Sequence, residues 1–299
     1  MSHPSLFRNQ PLQDFSIESN RVALSSALSE LEARLGAAGM IAAPIINGKE
    51  ERVGPPIPVV DPSDTSLRLG ETYYASREQA TRALSTCVRG FPAWRSTTPQ
   101  HRASILQKLA TLLREQSPFL TALIIREAGK TWREADADVA EAIDFCEFYA
   151  LEMLRLGEPY RTDTVLGEDN FYLYKPRGVV AVIAPWNFPL AIACGMTTAA
   201  LVAGNTVVLK PSEQTSIIAY EFAKLVLDAG FPTDSFAFLP GRGEEIGRCL
   251  VEAPETAMIV FTGSRAVGLE IISSAARVVP GQRGIKRVVA ELGGKNAII

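Results

Sequence analysis

The chain has 299 residues, 47% of them hydrophobic, and a formal net charge of −3. It can therefore bury a sizeable core, and it has no basic surplus to draw it to nucleic acid or an anionic membrane. Its four cysteines (Cys87, Cys146, Cys194, Cys249) lie far apart with no C-x-x-C pair, which argues against metal fingers and disulfide scaffolds and for a reducing cytoplasm.

The start, MSHPSLFRNQPLQDFS, has no basic segment leading into an apolar run, so no secretory signal is expected. Val22, Leu24, Leu28, Leu31 and Leu35 recur at mostly helical spacing and predict one helix within an arm covering 1–55. NGKEERVGPPIPVVDPSD, rich in Gly and Pro, reads as turns and short extended segments. Residues from about 76 to 157 read as amphipathic helices, within a unit covering 56–160. Ser76, with Gln79 three residues on, supplies a capping signal at their start. In this region EAGKT (127–131) faintly resembles a phosphate-binding loop, but Ile124 stands where the first glycine is required. Glu134, Asp138 and Glu141 fall at helical spacing and read as a solvated acidic face, the less favoured option being a carboxylate turned to a substrate amine. His3 and His101 sit in the terminal arm and at a polar helix start. Neither a Ser–His–Asp triad nor a His-ligated metal is expected. RTDTVLGEDNFYLYKPRG then predicts a short hairpin at 161–177.

From Gly178 to Leu209 no residue is charged, long enough to span a bilayer. Pro185, Asn187, Pro189, Gly195, Gly204 and Asn205 divide that stretch, however, so strand, helix and strand are expected instead. Strands are predicted at 179–184, 206–210, 236–239, 257–261 and 286–292, with helices between them. Repeated strand–helix units specify an α/β fold, a doubly wound parallel sheet spanning 178–292. Ligands of such sheets bind beyond the carboxyl ends of the strands.

The loops at those ends carry the candidate chemistry. In PGRGEEIG, Gly241, Gly243 and Gly247 follow a strand and precede a helix, so a phosphate could approach bare backbone there. In LKPSE, Lys210 and Glu213 leave a buried strand together. The carboxylate suits ribose hydroxyls and would repel a 2′-phosphate, favouring NAD over NADP. PWNFP holds Asn187 between aromatics and prolines as an amide donor to an oxyanion. FTGS offers a Gly263–Ser264 turn before a helix, and ELGGK puts Glu291, a possible general base, before two glycines. Each also has a plainer reading: a tight turn, a carboxylate complementing a helix dipole, a turn asparagine, a helix cap, a strand-end carboxylate.

Taken in order, APWNFPL, NTVVLKPSE, GFP…LPGRGEEIG, VFTGSRAVG and VVAELGGKNAII resemble the aldehyde dehydrogenase superfamily. FRNQPLQDFS, EADADVAEAIDFCEFYA, GEDNFYLY and PGQRGIKRVVAELGGKNAII are similar to its 1-pyrroline-5-carboxylate dehydrogenase branch, and the likeness runs from Phe7 to Ile299. The resemblance implies NAD-dependent oxidation of L-glutamate γ-semialdehyde to L-glutamate in proline catabolism. In that family a cysteine thiolate attacks the aldehyde, hydride passes to NAD, and water activated by a Glu cleaves the thioester. By motif match, Asn187 is the oxyanion donor and Glu291 the base. Lys210 and Glu213 hold the adenosine ribose and Ser264 lies near the pyrophosphate, while Ile183, Pro185, Trp186, Ser212, Gly243, Phe261, Gly263 and Leu292 line the cofactor site. Glu141 and Phe188 fall on the substrate side. The resemblance further implies homo-oligomers, with 161–177 in the oligomerisation element, and a catalytic domain opening at 293–299. The family nucleophile lies further along the chain than ELGGK, and none of the four cysteines matches it. The chain is thus expected to be an N-terminal portion without turnover by itself, the alternatives being a non-catalytic NAD-binding fragment or an aldehyde dehydrogenase of other substrate preference.

Overall fold

The computed structural model describes residues 7–37, 39–295 and 297. His3 and, in the segment 293–299, Asn296, Ile298 and Ile299 lie outside the described residues. Helix α1 (Glu18–Ala37) is followed by five short strands: β1 (Met40–Ala42), β2 (Ile45–Ile46), β3 (Lys49–Glu50), β4 (Ile57–Asp61) and β5 (Asp64–Thr72). The helical layer is α2 (Arg77–Arg95), α3 (Pro99–Glu115), α4 (Ser117–Ala128) and α5 (Trp132–Leu156), and the hairpin is β6 (Tyr160–Asp163) with β7 (Asn170–Tyr172). Then come β8 (Val179–Ile183), α6 (Ala191–Val202), β9 (Thr206–Lys210), α7 (Ser216–Ala229), β10 (Phe236–Phe238), α8 (Arg248–Glu252), β11 (Thr256–Gly263), α9 (Arg265–Ala275) and β12 (Arg287–Leu292).

Local chemistry accounts for the predicted start of the helical layer. The Ser76 hydroxyl accepts the Gln79 amide N–H at 3.1 Å while the Gln79 side-chain oxygen accepts the Ser76 N–H at 2.8 Å, closing a capping box. The charge-free stretch divides as expected into β8, α6 and β9. Among the described residues no helix is long and apolar enough to cross a membrane.

The main sheet runs β12-β11-β8-β9-β10-β2-β3. Its first five members are parallel, while β2 and β3 extend it antiparallel. Among the parallel strands the chain begins at the centre with β8, winds outward through β9 and β10, then returns to add β11 and β12. The crossover direction therefore reverses between β8 and β11, and a crevice opens there at the carboxyl end. Side chains alternate between two cores, as the pleat requires. Val180, Val182, Val207, Leu209, Phe236 and Phe238 face α3, α5, α6 and α7. Val179, Ala181, Ile183, Val208, Ala237 and Ile259 face α2, α8 and α9.

Helix α6, the most apolar of these, has its last carbonyls held by other elements. Trp94 Nε1 donates to Leu201 O at 3.1 Å, buried Arg102 Nε to Val202 O at 2.6 Å, and Asn205 Nδ2 to Ala200 O at 3.2 Å. A cation at a helix C-terminus also complements the dipole.

A second, three-stranded sheet, β1-β5-β4, was not legible in the sequence. Its longest strand reads DTSLRLGET, where charged residues and a glycine mask the alternation of Leu67 and Leu69. The glycine is required by close approach. Gly70 pairs with Met40, and a Cβ at this position would lie 2.0 Å from the Met40 carbonyl oxygen. Gly70→Ala is expected to destabilise the chain by about 2–4 kcal/mol by breaking this pairing. Urea unfolding checks it, and an unchanged midpoint would count against the contact.

Candidate functional site

Strand register brings the predicted loops to one rim. Ile183, the last residue of β8, lies opposite Lys210 on one side and Phe261 on the other. Phe261 in turn lies opposite Ala290, Thr262 opposite Glu291 and Gly263 opposite Leu292. Glu291 thus stands two strand spacings, about 10 Å, from the exit of β8.

At the β9 exit, Lys210 is 3% exposed, with its ammonium 2.9 Å from Pro211 O and 3.3 Å from Glu213 Oε1. Burial pushes its pKa down, and the carboxylates of Glu213 and Glu244 oppose that shift. Ser212 caps the turn that follows, accepting the Gln214 N–H at 3.3 Å. Glu213 Oε1 also accepts the Gly243 N–H at 2.5 Å, so the PGRGEEIG turn is tied to the LKPSE turn by a carboxylate. The wide turn Gly243–Gly247 leads directly into α8. Tyr74, unnoticed in the sequence, completes this corner; burial raises its hydroxyl pKa, and Glu213 adds to the shift.

At the β8 exit, Pro185 is half-buried while Trp186, Asn187 and Phe188 are exposed, placing the Asn187 amide at the open rim. The Lys130 ammonium lies 3.9 Å from the centre of the Phe188 ring, a cation–π contact. Lys130 also pairs with Asp138 at 2.9 Å, and Asp138 accepts the Ala191 N–H at 2.7 Å. Here the structure corrects the sequence reading of a solvated acidic stripe: Asp138 is 0% exposed. It is buried because it holds the start of α6. Glu134 instead closes a capping box with Thr131 at the start of α5, and Glu141 remains exposed.

At the exits of β11 and β12, Phe261 is buried and Ser264 caps α9, accepting the Val267 N–H at 3.3 Å. A Cβ on Gly263 would lie 2.5 Å from the Phe261 ring, so the glycine keeps the turn open. Leu292 lies over α9, where an added Cβ on Gly268 would meet its side chain at 2.3 Å. Glu291 is exposed. The Glu141 pKa is raised by desolvation first, then by Asp138, Asp144 and Glu291, with Lys130 pulling it down. Glu141 on α5 and Glu291 on β12 thus lie close enough for the charge of Glu291 to act on the Glu141 carboxyl.

The cysteines lie elsewhere. Cys87 is buried under β9 with its thiol pKa pushed up to about 12. Cys146 and Cys194 are buried with their sulfurs 3.6 Å apart between α5 and α6, and burial raises Cys146. Cys249 is half-buried on α8, its thiol also raised by burial. Raised thiols are poor nucleophiles. A partly open cavity of about 140 Å³ under the N-terminal arm, lined by Gln10, Phe15, Thr121 and Asp136 among others, includes none of the candidate site residues.

Residues 49–299 match the aldehyde dehydrogenase family. The 1-pyrroline-5-carboxylate dehydrogenase of Geobacillus thermodenitrificans is 44% identical over 293 residues, which cover 98% of this chain and 56% of that protein. A Bacillus cereus protein of the same name is 43% identical with the same coverage. Among solved structures, proline utilization A from Bdellovibrio bacteriovorus superposes with a TM-score of 0.95 at 44% identity, covering 98% of this chain and 30% of that one. The 1-pyrroline-5-carboxylate dehydrogenase from Thermus with bound NAD gives 0.94 at 39% identity, covering 99% and 57%. The chain spans about half the length of the curated relatives it matches. It belongs to the aldehyde dehydrogenase family.

Proposed function

We propose that this chain forms the cofactor-binding part of an NAD-dependent dehydrogenase that oxidises L-glutamate γ-semialdehyde, the open form of 1-pyrroline-5-carboxylate, to L-glutamate in proline catabolism. The observation that carries this reading is the Lys210–Glu213–Gly243 corner at the rim of a sheet whose winding reverses one strand away. Its residues fit a dinucleotide. The Lys210 ammonium has three protons, of which Pro211 O and Glu213 engage two. Glu213, 32% exposed at its side chain, keeps carboxylate oxygen for a ribose diol. Ser264 and Gly263 present a helix N-terminus for the pyrophosphate. Bound NAD would supply the hydride acceptor.

In this reading Asn187 donates to the oxygen of the aldehyde as charge develops there, and Glu291 removes a proton from water. Ile183, Pro185, Trp186, Ser212, Phe261 and Leu292 shape the cofactor's cleft, and Glu141 and Phe188 border the substrate. The β6–β7 hairpin, with Tyr160, Phe171, Tyr172 and Tyr174 exposed, is read as the segment through which family members self-associate, and the unpaired cysteines suit a cytoplasmic protein. For the chain by itself, the burial of Cys87, Cys146 and Cys194 and the half-buried position of Cys249 favour a second reading, nucleotide binding without aldehyde turnover.

Titration of the purified chain with NADH, followed by nicotinamide fluorescence, should saturate, with no NAD reduction on adding pyrroline-5-carboxylate. Absence of saturation would sink the cofactor reading, and measurable NAD reduction would sink the second. Glu213→Gln removes the charge that repels a 2′-phosphate. The ratio of NADPH to NADH affinity should then rise roughly tenfold, a change of about 1.4 kcal/mol.

Lys210→Met should separate binding from stability. Met fills a similar volume but leaves Pro211 O without its donor and Glu213 without its cation. The variant should lose about 1 kcal/mol in urea unfolding near pH 7, while NADH affinity of the folded variant falls at least about tenfold. Because the folded-state pKa of Lys210 is lowered, the native state sheds its proton first as pH rises, and wild-type stability then climbs. The deficit of Lys210→Met relative to wild type should accordingly widen toward pH 10. A constant difference between the two proteins across that range would contradict the assignment.

A further inference from the structure

Two helices carry the loops of the proposed cofactor site, and neither has a capping side chain of its own. Helix α6 follows PWNFP, and α7 follows LKPSE. Both begin in buried surroundings, where an unpaired N–H costs about 1–3 kcal/mol. Their partners come from a single stretch of twelve residues, EAGKTWREADAD (127–138), at the junction of α4 and α5. Glu127, 3% exposed at the end of α4, accepts the Ile217 N–H on Oε1 and the Ile218 N–H on Oε2, both at 2.7 Å. Asp138, in the second turn of α5, accepts the Ala191 N–H on Oδ1 at 2.7 Å and holds Lys130 on Oδ2 at 2.9 Å. Lys130 in turn covers the ring of Phe188, inside the PWNFP loop. Gly129, with φ of 65°, makes the left-handed turn that lets the chain leave α4 and present Lys130 toward Asp138.

From these contacts we infer that residues 127–138 form a brace in which Glu127 sets the position of the Lys210–Glu213 turn through α7, and Asp138 with Lys130 sets the position of Asn187 and Phe188 through α6. All three are positioning residues, since each acts through the start of a helix. The geometry explains why two carboxylates are buried within one short segment: each meets backbone donors at a helix N-terminus, where the dipole also favours an anion. It also explains the arrangement of the segment, because an α4–α5 junction offers two helix ends at once, one above each loop. The brace rests on the cofactor reading for its functional meaning and, for its structure, on backbone hydrogen bonds to Glu127 and Asp138 and on the contacts of Lys130.

Amide hydrogen exchange on the 299-residue chain, paired with NADH titration, tests it. Glu127→Gln leaves one acceptor oxygen for two amides, so exchange at Ile217 or Ile218 should quicken at least about tenfold with Ala191 unchanged. NADH affinity should fall about tenfold under conditions where circular dichroism reports full folding. Asp138→Asn should have the complementary pattern, with faster exchange at Leu190 and Ala191 and none at Ile217. Should Asp138→Ala or Glu127→Ala fail to fold, the Asn and Gln variants, which preserve volume, still decide. Uniformly faster exchange over the whole chain with unchanged NADH affinity in the folded state would reduce these residues to bulk stabilisers and overturn the inference. If wild type binds no NADH, the cofactor reading fails, while the site-specific exchange pattern still judges the brace.

Discussion

A helix whose first amides are buried and uncapped cannot stand alone, and the rim of this sheet is made by two such helices. Starts of α6 and α7 are completed by Asp138 and Glu127, and the end of α6 by Trp94, Arg102 and Asn205. The sheet core therefore requires the helical layer at 77–156 for more than apolar cover. That layer supplies charge of the correct sign to each end of the sheet's own helix: a carboxylate at the N-terminus of α6 and a guanidinium at its C-terminus. Desolvation of Glu127 is severe enough to push its carboxyl pKa up to about 8 despite two backbone donors. The group completes the hydrogen bonds of two buried backbone amides, Ile217 and Ile218.

The same economy of position governs the ligand side. Parallel pairing fixes Ile183, Lys210, Phe261 and Glu291 within one residue of the same level, so a turn of a few residues at each exit suffices to present a side chain. Winding outward from β8 in both directions separates the Lys210–Glu213 corner from the Glu141–Glu291 pair, with Asn187 between them at the central exit. One end of the rim thus carries an ion pair tied to a glycine turn, and the other two carboxylates. Buried Lys210 is a group whose charge desolvation disfavours and the carboxylates of Glu213 and Glu244 partly restore.

Much of this was legible in the sequence, and for a clear reason. Uninterrupted apolar runs such as VVAVI and TVVLK are unmistakable when both faces of a strand are covered. Punctuation by Gly and Pro then fixed the loops between them, and Ser76 with Gln79 announced the helical layer. The brace escaped notice because its members look ordinary in one dimension. EAGKT drew attention only for its partial likeness to a phosphate loop. Asp138, at helical spacing from Glu134 and Glu141, had the pattern of a wet surface. Periodicity reports which residues share a face but not what that face meets, and here it met the bare amides of α6. Sheet β1-β5-β4 was hidden differently, since its strands expose charged residues and pair across gaps in sequence.

The short hairpin β2–β3 carries a consequence for how the chain reaches this state. It closes the outer edge of β10 through the pairing of Ile45 with Phe238, so the edge strand is sealed by residues made about 190 positions earlier, a high-order contact of the slow-forming kind. During synthesis on the ribosome the edge of β2 that meets β10 must wait until β10 emerges, although β3 and β5 already partner the arm. Its companion Lys49–Glu50, charged and exposed on the final edge, then serves as a stop against stacking by a neighbouring nascent chain.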